Sequence, residues 1–80
     1  MAYRDLAGVL NQLAGTKNFD APGAANQYAG TTGLELVRAL NAKAGTTGLS
    51  LNDVCNVLAG TKNNDAQGAL NILAGNSKGS

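Results

Sequence analysis

Eighty residues with six Lys and Arg against five Asp and Glu carry a formal charge of +1, enough chain for one small domain but without the basic stripe that holds nucleic acid. With no His and only the thiol of Cys55, the chain has no set of residues for a tetrahedral zinc site, a Cys-His dyad, a Ser-His-Asp triad or an internal disulfide. Eleven Gly, 14 Ala and 10 Asn stand against three aromatic residues, Tyr3, Phe19 and Tyr28, so any core is a thin one of Leu, Val and Ala.

A period of 15 organises the chain. Ala-Gly recurs at Ala14-Gly15, Ala29-Gly30, Ala44-Gly45, Ala59-Gly60 and Ala74-Gly75, and Asn recurs at Asn11, Asn26, Asn41, Asn56 and Asn71. The repeat divides the chain into units 1–15, 16–30, 31–45, 46–60 and 61–75, followed by a C-terminal tail at 76–80, and leaves no second domain to place.

Each unit reads as one short helix and one turn. In the first, Leu6, Val9, Leu10 and Leu13 have the i, i+3, i+4, i+7 spacing of an amphipathic helix, Asp5 stands where a cap belongs, and Gly15 suits the left-handed residue that ends a helix. The second starts at Asp20, with Pro22 in the first turn where a missing N–H costs little, and stops at Gly30. The third runs from Glu35 to Gly45, with Lys43 near its C-terminal end. The fourth, from Ser50 to Gly60, repeats the stripe as Leu51, Val54, Cys55 and Leu58, which makes Cys55 a small core residue rather than a reactive thiol. The fifth runs from Asp65 to Gly75. Phe19, Leu34 and Leu49, one place before their caps, are expected to staple onto position 9 of the following helix.

A single long helix is excluded by glycine, which costs about 1 kcal/mol at each interior site and occurs twice within Gly30–Gly33 and again within Gly45–Gly48. Separate helices of about nine residues are too short to persist alone and must stack. The fold expected is all-α: five short helices in a compact bundle or short α-solenoid, with neighbours that reverse direction across short turns. The glycines at Gly8, Gly23 and Gly68 and the alanines at Ala24, Ala39 and Ala69 are read as points of close helix approach.

The five Asn beside the apolar stripe are expected to hydrogen-bond the backbone of the adjacent Gly-Thr turns, against the alternative of an exposed amide ladder that binds a sugar or a protein. Gly-Thr-Thr-Gly has the spacing of a KH-domain loop, but it carries no Lys or Arg and recurs in a periodic turn. Tyr3, Tyr28, Lys17 and Lys62 are the candidate partner contacts. No catalytic, cofactor-binding or metal-ligating residue is expected, nor a signal peptide or membrane span, since no basic segment followed by an apolar run opens the chain.

The run from Tyr3 through Leu6-Ala7-Gly8-Val9-Leu10-Asn11 to Ala14-Gly15-Thr16, and the run from Ala29-Gly30-Thr31-Thr32-Gly33-Leu34 to Lys43-Ala44-Gly45, resemble short repeats of virion structural proteins from tailed phages of actinobacteria. The resemblance covers residues 3 to 75. It implies a non-enzymatic particle component, made in the host cytoplasm and assembled on the virion. Because the repeats fill the chain, a capsid decoration or minor capsid protein is expected, bound to the major capsid protein or other virion proteins and able to form a homo-oligomer. A minor tail or host-surface-binding module and a small helical nucleic-acid-binding protein are the alternatives.

Overall fold

A computed structural model describes residues 2–76 of the chain. It contains five α-helices, α1 (Leu6–Ala14), α2 (Ala21–Ala29), α3 (Leu36–Ala44), α4 (Leu51–Ala59) and α5 (Ala66–Ala74), each at the same place in its unit. The all-α reading and the helix bounds therefore hold in every repeat. Of the tail, only Asn76 lies within the described residues, and it is buried; 77–80 lie outside them. No described helix is long and apolar enough to cross a membrane.

The helix starts explain the glycines at position 8. Asp5, Asp20 and Asp65 accept hydrogen bonds from the N–H groups of Gly8, Gly23 and Gly68 at 2.8, 2.9 and 2.7 Å. A Cβ on any of these glycines would lie 2.7 Å from the capping carboxylate oxygen. The units with a side chain at this position cap differently: Ser50 accepts from Asp53 at 3.3 Å, and Glu35, ahead of Arg38, makes no cap bond. These glycines thus make room for their own aspartate cap. They are not the helix–helix contacts expected of them.

Every helix stops on a glycine in the left-handed region, with φ between 70° and 81°. The next N–H reaches back to the carbonyl of the unit's Asn, as Thr16 does to Asn11 at 3.0 Å and Thr46 to Asn41 at 2.9 Å, closing the last turn in a Schellman arrangement. A second left-handed residue follows three places later. Gly33 and Gly48 supply it in two turns, Asn18 and Asn63 in the other two, at φ 67° and 66°. Asn is the non-glycine residue that tolerates this conformation best, so Thr-Lys-Asn and Thr-Thr-Gly make the same turn.

With the same dihedral angles at each turn, every unit is carried onto the next by the same operation. Backbone contacts run α1 to α2, α2 to α3, α3 to α4, α4 to α5 and back from α5 to α1, and no more distant pair of helices comes as close. The chain is a closed ring in which each step is about one fifth of a rotation. This settles bundle against solenoid: the stack closes on itself. The Cα atoms span 34 × 28 × 13 Å, a flattened disc.

The core lies at positions 9 and 10. Val9, Leu10, Ala24, Ala25, Ala39, Leu40, Val54, Cys55, Ala69 and Leu70 are fully buried, whereas Leu6, Leu13, Leu51 and Leu58 are only half-buried against them. Each buried Leu contributes about 2 kcal/mol from transfer out of water, and the alanines at position 9 fit as close-approach residues. Leu34 and Leu49 pack on the core as staples. Phe19 does not: it is 42% exposed, and its ring lies over Gly23 at position 8, where a Cβ would come within 3.0 Å.

Candidate functional site

The five repeated asparagines form clamps. In the third unit the Asn41 amide donates to the carbonyl of Val37 in its own helix at 2.9 Å and to that of Leu49 in the next turn at 3.1 Å. Its Oδ1 accepts from the Thr46 hydroxyl at 2.7 Å and from the Leu49 N–H at 3.2 Å. Asn26 holds Pro22, Leu34 and Thr31 in the same way, Asn56 holds Asn52, Asn64 and Thr61, and Asn11 holds Ala7, Phe19 and Thr16. One side chain thus joins a helix, the turn that follows it and the start of the next unit. The structural reading of these residues is the one observed. No buried side-chain nitrogen or oxygen among the described residues lacks a hydrogen-bond partner.

The fifth clamp closes the ring. Asn71 clamps Arg4 rather than a residue eight places on, accepting from its N–H and donating to its carbonyl, both at 2.8 Å. Asn76 replaces the threonine, donating to Asn71 Oδ1 at 2.8 Å. Its amide also pairs face to face with that of Gln12 in α1, at 2.8 and 3.1 Å. The segment before α1 therefore plays the part of a sixth turn. The junction between units 4 and 5 carries one further bond, from the Ala66 N–H to Asn52 Oδ1 at 2.9 Å.

Beside the clamps run shallow surface grooves, built at four of the five units from the same repeat positions. Their volumes are about 440, 340 and 400 Å³ at units 1 to 3 and about 240 Å³ at unit 5. Their chemistry differs. Arg4 and Lys17 bring two cations to the first, Phe19 and Pro22 line the second beside Asn26 and Gln27, and the third, with Leu34, Val37 and Ala42 beside Arg38, is the most apolar. The fifth, at the seam, is lined by Tyr3, Asp65 and Ile72.

The candidate contacts do not converge. Tyr3 is half-buried at the seam, and Lys17 is exposed beside Arg4. Lys62 is exposed in the equivalent turn of the fifth unit. Tyr28 lies half-buried with the Lys43 ammonium 4.6 Å from its ring centroid, a cation–π contact between α2 and α3. Its hydroxyl pKa is raised by burial and, secondarily, by the Cys55 thiol of α4. Burial pushes Cys55 itself from 9.0 up to about 11, so at neutral pH it is a protonated core thiol. Among the described residues no cluster of His, Cys, Asp or Glu could hold a metal.

Two exposed residues were not singled out by the helical stripe. Val57 and Ile72 are 51% and 50% exposed at position 12 of α4 and α5, where the other units carry Gln12, Gln27 and Ala42. The signal was available, since an aliphatic residue one place before position 13 lies off the buried stripe. No protein family model, curated protein or solved structure matches the chain.

Proposed function

We propose that this protein is a non-enzymatic virion structural subunit of a tailed phage, a capsid decoration or minor capsid protein bound in many copies to the major capsid shell. The observation that carries the reading is the closed disc. Every unit is clamped to both neighbours through an amide hub, and the outer surface presents related shallow grooves with different side chains. Such a body suits attachment by surface complementarity repeated over many copies, in which multiplicity supplies much of the binding. The repeat resemblance supplies the particle. Val57 and Ile72, exposed on adjacent helices, are the apolar anchors through which it docks.

The host-surface-binding alternative needs exposed Tyr3, Tyr28 or Asn side chains converging on a groove. The amides are instead spent in the clamps, and the two tyrosines belong to different sites. The nucleic-acid alternative needs Arg4, Arg38 and the lysines gathered into a basic face, and a formal charge of +1, with Lys43 held over the Tyr28 ring, favours it less.

The test is location and copy number in intact particles. Hundreds of copies over the shell support decoration, and a few copies at the tail tip overturn it. A Val57→Asp/Ile72→Asp variant should keep its helical circular dichroism yet bind shells at least about tenfold more weakly, as expected when two anchors of an interface are lost.

A further inference from the structure

Between α5 and the unit that carries α1 no turn of the chain runs like those that join the other neighbours. On its α5 side it is held by Arg4 on Asn71 and by Gln12 on Asn76, bonds between residues 64 to 67 apart in sequence. On its α2 side the chain passes through the turn Gly15–Asp20, which is the least protected of the four. Asn11 is the one clamp residue of the five that is not buried. Phe19, which it clamps, is exposed, whereas Leu34 and Leu49 at the same repeat position pack on the core, and the second left-handed position is held by Asn18, as by Asn63 in the turn before α5. A single helix with Leu6, Val9, Leu10 and Leu13 along one face does not stay undocked in water, nor does it persist alone at this length.

We propose that the seam is an exchangeable joint, and that a second copy of this chain inserts its own α1 unit between α2 and α5 in place of the resident one. Two chains then form a reciprocal pair of complete rings linked by two opened Gly15–Asp20 turns. Each ring keeps the seam bonds and both faces of α1. What differs from the closed single chain is the hinge alone, where the Asn11 clamp is released. The exchange therefore grows with concentration, as for other domain-swapped pairs. It is independent of the virion reading.

Residue 18 controls the hinge. In the single-chain ring it must adopt φ 67°, and in the opened hinge it need not. Asn18→Val penalises the closed turn, by about tenfold at each hinge, and should tighten the dimer about a hundredfold. Asn18→Gly relieves the closed turn and should weaken the dimer. The full chain and both variants are compared by analytical ultracentrifugation up to millimolar concentration, after refolding at each concentration. In the dimer fraction, mixtures of isotope-labelled and unlabelled chains are examined by filtered nuclear Overhauser spectroscopy. The expected result is the order Val above Asn above Gly in dimer fraction, with α1-to-α5 contacts between labelled and unlabelled chains. The proposal is overturned if all three stay monomeric while Asn18→Val merely melts lower, or if a dimer forms whose α1-to-α5 contacts remain within one chain.

Discussion

The seam between units 5 and 1 and the turn between units 3 and 4 make nearly the same hydrogen bonds from different covalent starting points. Asn41 clamps Leu49 eight residues away, where the chain has already brought its partner close. Asn71 clamps Arg4 across 67 residues with two bonds of 2.8 Å, and recruits Asn76 and Gln12 around it. Asn71 is also the most deeply buried of the repeated asparagines. Where chain connectivity does not hold a junction, additional and shorter side-chain bonds do. The comparison shows that ring closure is a long-range contact set rather than a by-product of the repeat.

The strongest way to break the comparison is Asn71→Ala, expected to cost about 4 kcal/mol because it leaves buried partners unpaired and loosens the packing of α1 on α5. Hydrogen exchange should accelerate first in α1 and α5, and uniform acceleration through all five helices would contradict the seam's separate role. Asn41→Ala removes the same number of bonds at a junction the chain still holds, and a loss of about 3 kcal/mol is expected, measured by urea unfolding. A clearly larger loss there than at Asn71 would reverse the order argued above. Gly45→Ala touches no neighbour but forces an alanine into φ 73°, for about 1 kcal/mol of destabilisation in the same assay.

A pH dependence separates core from seam. The folded Cys55 holds its proton to about pH 11, whereas an unfolded thiol loses it near 9, so between these values the unfolded chain binds fewer protons. Stability should be unchanged below about pH 9 and decline as pH rises toward about 11. Cys55→Ala should remove that part of the slope, though it leaves a small cavity, and Asn71→Ala should retain it. Thermal melts across this range measure the difference.

Much of this architecture was legible in the residues. The spacing of Leu6, Val9, Leu10 and Leu13, the caps at position 5 and the glycine stops located all five helices, because these depend on backbone geometry within one unit. The clamp role of the asparagines was legible as a need to satisfy the turns. Their partner at the fourth residue of the next unit was not, because it depends on how the turn folds back. The glycines at position 8 were misread for a related reason: Gly beside an Asp cap and a glycine at a helix crossing look alike until the distance to the carboxylate is known.

Local chemistry in the sequence by itself determined the repeat, the short helices, their caps and the left-handed turns, since each rests on residues within one unit or its neighbour. Tertiary structure decided that five steps close a ring, that Asn71 receives Arg4 and Asn76, and that Tyr28 sits with Lys43 and close enough to Cys55 for the ionisation of one to oppose that of the other. The physical reason is accumulation. A small rotation at each turn is set locally, but only the sum over five turns brings the first unit onto the last, and no window of sequence contains that sum.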